Sequence, residues 1–195
     1  MPELYLVRHG ETEWSRSGQH TGTTDLPLTE AGVAAARALR SMLGHLDNPL
    51  VFTSPLQRAR ETCRLAGLDA SAQVTADLVE WNYGDYEGRT TPDIRAERPG
   101  WLLWRDGAPG GEVAAEVGRR VDRVIEQVRG AARNGGRDAV VFAHGHVLRV
   151  LGARWIGLPP QDGSRFALST ASVCELGWER EIPVFRRWND TSHLA

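Results

Sequence analysis

Three short apolar runs, each stopping abruptly at polar residues, constrain this chain more than any other feature. Leu4-Tyr5-Leu6-Val7 ends in Arg8-His9-Gly10, Pro49-Leu50-Val51-Phe52-Thr53 ends in Ser54-Pro55, and Ala139-Val140-Val141-Phe142-Ala143 ends in His144-Gly145-His146. Unbroken apolar runs of this length read as strands buried on both faces. A helical pattern follows each of them. Thr29 and Glu30 start an alanine- and leucine-rich stretch, 31–43, that closes at Gly44, which predicts a capped helix. Ser54 as cap and Pro55 at the first helical position predict a second helix reaching Leu65. The third runs through Trp155, and residues 112–132 predict a long amphipathic helix whose core stripe is Val113, Val117, Val121, Val124 and Val128.

Alternating strands and helices predict an α/β fold, a three-layer α/β/α sandwich with a mostly parallel sheet and helices on both faces. Sheets of this kind bind ligands at the carboxyl ends of their strands, where Arg8, His9, His144 and the turn 54–58 all fall. The tail, 171–176 and 183–188, predicts two strands added antiparallel at an edge. Residues 82–111, rich in glycine and proline and carrying Trp101 and Trp104, hold no sustained period and predict an excursion over the active end. At 195 residues the chain is expected to form one domain, 1–195.

Composition narrows the chemistry. All 23 basic residues are arginine, so Schiff-base chemistry on lysine and the lysine of a nucleotide-binding P-loop are excluded. Any phosphate must be held by arginine, histidine and backbone N–H groups. A formal net charge of -2 gives no reason to expect nucleic acid, and no apolar run approaches the ~18 residues of a membrane span. Cys63 and Cys174 have neither metal-ligand spacing nor the makings of a disulfide framework, which leads us to expect a cytoplasmic setting.

Arg8, His9, Arg58 and His144 would bring three or four positive charges into one crevice of a slightly acidic chain, an arrangement that calls for an anion. Phosphoryl groups suit it, because the arginine fork matches two phosphate oxygens and one imidazole nitrogen can act while the other donates.

The segment Leu6-Val7-Arg8-His9-Gly10-Glu11-Thr12 resembles the signature of the histidine phosphatase (phosphoglycerate mutase-like) superfamily. Thr53-Ser54-Pro55-Leu56-Gln57-Arg58-Ala59-Arg60-Glu61-Thr62, then Leu78-Val79-Glu80 with Gly84 and Glu87-Gly88, then Phe142-Ala143-His144-Gly145-His146 are similar to its further motifs, in order. The resemblance implies His9 as nucleophile, Arg8, Arg58 and His144 as a phosphate clamp, Glu80 as proton donor, and no metal or cofactor. It further implies substrate contacts at Ser15, where mutases of the family carry asparagine, and at Thr21, Gly22 and Gly145. Tyr83, Trp104 and Arg105 are candidates for the leaving-group wall, with Arg105 available for a second phosphate; alternatively Trp101 and Trp104 only seal the core under the excursion.

No adjacent arginine pair of the kind that grips a mutase substrate occurs in 82–111. The stretches 80–88, 104–107 and 18–22 look like two phosphatase branches, actinobacterial acid phosphatases and fungal sedoheptulose bisphosphatases. The expectation is therefore a phosphomonoesterase of small phosphate esters such as sugar phosphates, acting through a phosphohistidine. A phosphoglycerate mutase-type isomerase and a non-catalytic module binding a phosphorylated ligand stand as alternatives. The expected partner is a small phosphorylated metabolite, not nucleic acid and not a membrane, with a homodimer among the assemblies left open. Hydrolysis is expected to be best in mildly acidic solution, with His144 and the proton donor carrying protons and His9 neutral.

Overall fold

The computed structural model describes residues 2–195, with side chains throughout except at 132–135. In chain order the elements are β1 (Leu4–Arg8), α1 (Glu13–Ser17), α2 (Glu30–Leu43), β2 (Leu50–Thr53), α3 (Gln57–Ala66) and β3 (Gln73–Val74). The chain continues with α4 (Thr91–Glu97), α5 (Leu103–Asp106), α6 (Ala114–Gly135), β4 (Ala139–Ala143), α7 (Gly145–Trp155), β5 (Val173–Glu179) and β6 (Ile182–Asp190).

The strands form a six-stranded sheet in the order β3-β2-β4-β1-β5-β6. β1, β2, β3 and β4 pair in parallel, while β5 and β6 are added antiparallel beside β1. The side-chain period of two splits each central strand between two layers. Leu4, Leu6 and Val141 join Val117, Val121, Leu148 and Leu151 of α6 and α7 on one face. Tyr5, Val7, Val140 and Phe142 join Leu39, Leu43 and Cys63 of α2 and α3 on the other. This is the α/β sandwich expected from the sequence. Val117, Val121 and Val124 are essentially inaccessible, each worth roughly 1.5–3 kcal/mol of burial.

Three local expectations are corrected. Val113 is 45% exposed and precedes α6, where its N–H meets Glu116 as an N-terminal contact, so the core stripe starts at Val117. Helix α3 begins at Gln57 rather than at Pro55: Ser54 turns its hydroxyl to His144, and the Gln57 N–H is received by the Asp25 carboxylate at 2.8 Å. The excursion holds α4 and α5; α4 starts in a capping box between Thr90 and Asp93.

The ends of the central strands are locked together. His9 N–H donates to Ala143 O, Ser54 N–H to Phe142 O, and Ala171 N–H to His9 O, each at 3.0 Å. The loop after β1 lies so close to the start of α2 that a Cβ on Gly10 would stand 2.5 Å from Gly32 O, and one on Gly32 2.2 Å from Glu11 O. Both glycines are therefore required by the close approach that places His9.

Candidate active site

His9 follows β1 and is 5% exposed. Its Nδ1 lies 2.7 Å from Gly10 O. A carbonyl only accepts, so Nδ1 carries the proton and Nε2 keeps its lone pair. Burial first, then Arg8 and Arg58, hold the His9 imidazole well below its ordinary range, which keeps it neutral. Arg8 donates through Nη1 to Leu168 O at 2.6 Å, but its buried Nε has no hydrogen-bond partner among the described residues. An unmatched charged donor beside a neutral nucleophile marks the place for an anionic oxygen.

Behind His9 the arrangement differs from the expected clamp. Arg58 is fully buried; Nε donates to His144 Nδ1 at 3.0 Å, Nη1 to Thr24 O at 2.9 Å, and Nη2 to Thr21 O and Gly22 O at 3.2 and 3.0 Å. The Glu87 carboxylate holds that same loop from its N–H side, receiving Gly22 and Thr24. His144 accepts from Arg58 on Nδ1, and its Nε2 stands 2.8 Å from Ser54 Oγ. Burial, then Arg58, His9 and Arg8, keep it well below the usual imidazole range. His144 is thus neutral rather than protonated as expected, because another proton would add charge to a dry cluster already holding two guanidinium groups. Its ring centroid lies 5.2 Å from that of His9.

Glu80 is 5% exposed and receives three backbone N–H groups: Trp81 and Val147 on Oε1 at 2.8 and 2.9 Å, and His146 on Oε2 at 3.0 Å. The last two belong to the first turn of α7, whose N-cap His144 makes no side-chain cap. Glu80 supplies that cap from across the site. Oε2 receives one of these donors and keeps more free lone-pair capacity.

Arg8, His9, Ser15, Thr21, Glu80, Tyr83 and Gly145 line one cavity of about 180 Å³. Gly18, Gln19, His20, His146, Arg149 and Leu168, none of them expected from the sequence as a substrate contact, complete it. Ser15 is engaged locally, its hydroxyl closing a capping box with Thr12. Gly22 lies just outside the wall, where a Cβ would meet Trp81 O at 2.6 Å. Trp104 and Arg105 line a different surface groove: Arg105 is exposed and paired with Asp106 at 2.8 Å, while Trp104 packs edge-on against Trp81. Trp101 is buried in the core. Two grooves of about 550 Å³ elsewhere hold none of the histidines, so volume does not locate the chemistry.

Tyr83 stands 2.6 Å from His146 Nδ1. Burial pushes its phenol well above the ordinary range, so it donates. His146 is held neutral by burial, with Arg149, His20 and Arg8 adding to the effect, and its proton therefore rests on Nε2. Its 3.8 Å approach to Glu80 is accordingly not an ion pair. His20 stacks on Tyr83 with centroids 4.7 Å apart.

A neutral imidazole with one free nitrogen, set beside an arginine at the carboxyl edge of an α/β sheet, has the equipment of an enzyme that accepts a phosphoryl group. Comparison with known proteins agrees. Residues 4–191 match the model of the Histidine phosphatase superfamily (branch 1). An acid phosphatase of Mycobacterium tuberculosis is 44% identical over 181 residues, covering 92% of this chain and 88% of that protein. The sedoheptulose 1,7-bisphosphatase of Saccharomyces cerevisiae is 42% identical over 189 residues, covering 82% and 69% respectively. A solved structure of an open reading frame product from Mycobacterium tuberculosis superposes with a TM-score of 0.92 at 42% identity, over 96% of this chain and 97% of the other. The chain belongs to the histidine phosphatase superfamily, and it is a phosphatase.

Proposed function

We propose that this phosphatase hydrolyses small phosphate monoesters, sugar phosphates among them, through a phosphohistidine formed on His9 Nε2. The observation that carries the reading is the 2.7 Å contact between His9 Nδ1 and Gly10 O, which fixes the tautomer that leaves Nε2 free to attack. Arg8, through its unmatched Nε, receives a phosphoryl oxygen, and the Arg58–His144 pair behind it supplies the positive field in which charge spreads over the equatorial oxygens. Glu80 gives a proton to the leaving oxygen as the P–O bond breaks and the P–N bond forms. It then takes a proton from the water that cleaves the phosphohistidine, which returns His9 and releases phosphate.

The names of the two relatives, an acid phosphatase and a sedoheptulose bisphosphatase, support hydrolysis over isomerisation and small sugar phosphates as substrates. Ser15, Thr21, Tyr83 and Gly145 enter the proposal as substrate contacts because they line the cavity. A single functional domain over 1–195 and a cytoplasmic setting also belong to it, with a homodimer among the assemblies left open. The free, buried thiols of Cys63 and Cys174 fit a reducing compartment; light scattering tests the assembly.

Purified wild-type and His9→Ala proteins, in the presence of a chelator, are incubated with sugar mono- and bisphosphates, 3-phosphoglycerate and p-nitrophenyl phosphate. Phosphate release by the wild type alone supports the reading. Isomerised phosphoglycerate without release would replace it with a mutase, and inertness of both proteins would leave a binding module.

A further inference from the structure

The cavity that holds Arg8 and His9 holds a second arginine, Arg149, on α7. Its guanidinium is fixed by neutral groups: Nε donates to Gly163 O at 3.1 Å, Nη2 to Ser164 O at 3.0 Å, and the group lies 4.6 Å over the Trp104 ring. Nη1 makes no hydrogen bond among the described residues, and no carboxylate among them forms an ion pair with Arg149. Two arginines outside the cavity behave differently. Arg154, on the same helix, pairs with Asp122 at 2.8 Å, and Arg105 pairs with Asp106.

Burial works against the charge of Arg149 and Glu80 supports it. Glu80 is itself engaged by three N–H groups. A cation held rigidly in a cavity wall, with a free donor and no counterion, is arranged for an anion supplied by a ligand. Arg8 already serves the phosphoryl group under attack at His9. Gln19, His20, Tyr83 and His146 in the same wall are uncharged hydrogen-bonding side chains suited to hydroxyls.

Resting on the phosphatase reading, we propose that Arg149 determines specificity by binding a second anionic group carried by the leaving-group part of the substrate. Preferred substrates then bear two anionic groups with hydroxylated carbon between them, such as sugar bisphosphates. The role that the sequence suggested for Arg105 passes to Arg149.

The test compares kcat/KM for fructose 1,6-bisphosphate with that for fructose 6-phosphate and fructose 1-phosphate, and for 3-phosphoglycerate with glycerol 3-phosphate, in wild type, Arg149→Met, Arg149→Lys and Arg105→Met. The wild type is expected to prefer the doubly anionic member of a set by about tenfold or more, the gain of one charge-assisted contact. Arg149→Met abolishes the preference chiefly through KM, Arg149→Lys restores part of it, and Arg105→Met keeps it. A preference confined to the bisphosphate identifies a phosphate subsite; one confined to 3-phosphoglycerate identifies a carboxylate subsite. Equal efficiency of the wild type on all members overturns the proposal and leaves the phosphatase reading standing, as does a preference that survives in Arg149→Met. Absence of hydrolysis of every substrate overturns the phosphatase reading itself, and the proposal with it. Should Arg149→Met fail to fold, the wild-type ratios and Arg149→Lys still decide.

Discussion

Arg120 and Glu112 meet in a two-point ion pair, Nε to Oε1 at 2.8 Å and Nη2 to Oε2 at 3.0 Å, and the same arginine gathers the backbone carbonyls of Asp77, Val79 and Glu80 at 2.9, 2.6 and 3.1 Å. Glu112 also receives Asn82 N–H at 2.9 Å. The segment that presents Glu80 is thus fastened on one side to α6, through Arg120, and on the other to the turn before it, through Glu112. Arg120→Met strands a largely buried carboxylate and three carbonyls, so we expect a loss of about 3–5 kcal/mol in urea unfolding. A lower kcat in whatever fraction stays folded should accompany it. Unchanged stability would show that the pair does not hold this segment.

Buried neutral histidines set the acid stability of the fold. His9, His144 and His146 all lie well below their ordinary value of 6.5. Above that value they are neutral whether folded or unfolded and contribute no pH dependence. Below it, only the unfolded chain takes up protons, so stability falls as pH falls from 6.5 toward the depressed folded values. Each contributes a slope of about 1.4 kcal/mol per pH unit. Urea midpoints measured down this range should drop steeply; a flat profile would contradict burial in the neutral form.

The same depression governs activity. His9 stays unprotonated well below 6.5, so the acid limb of kcat/KM belonging to the nucleophile should lie well under that value, and mild acid should not silence the enzyme. An acid limb centred near 6.5 would show a solvated, ordinary histidine at this position.

Tyr83→Phe removes the donor to His146 Nδ1 and leaves a buried acceptor unmatched. The expected cost is about 1–3 kcal/mol. Nitrogen chemical shifts of the imidazole should report loss of the single tautomer. Retention of one Nε2–H form in the variant would assign the tautomer to some other contact.

Gly32→Ala places a methyl carbon 2.2 Å from Glu11 O, a backbone atom that can move only by displacing the loop after β1. Destabilisation of at least about 1–3 kcal/mol is expected, together with a fall in kcat, since displacement of the nucleophile by even ~1 Å is costly. Wild-type values of both would show that the loop has room.

The sequence disclosed what depends on long apolar runs and on polar residues at their ends. β1, β2 and β4 carry such runs, and their exits hold Arg8, His9, Ser54 and His144. β3 escaped because Gln73 and Val74 are both exposed and show no pattern. The start of α3 was misread because Ser54 is drawn to His144 across the sheet, a tertiary contact that local cap chemistry does not reveal. The wall beyond the nucleophile is legible only in part: Tyr83 lines the cavity, while Trp104 lies behind it against His146 and Arg149. Tryptophan and arginine in 82–111 drew attention to Trp104 and Arg105, whereas the cavity takes Arg149, whose place four residues after Gly145 puts both on one side of α7. That helical spacing was the signal available to find it.

Glu80 closes the first turn of α7 with the same carboxylate that the proposed mechanism uses for its proton. Selection for turnover and selection for foldability therefore act on one group of atoms. A descendant that abandoned hydrolysis would still be held to an acceptor at this position, and Glu80→Gln, with one carbonyl oxygen for three backbone donors, would be a poor one. A lineage of this fold is thus expected to retain the acid after losing the reaction, so a carboxylate surviving here is weaker evidence of activity than His9, whose ring caps no helix.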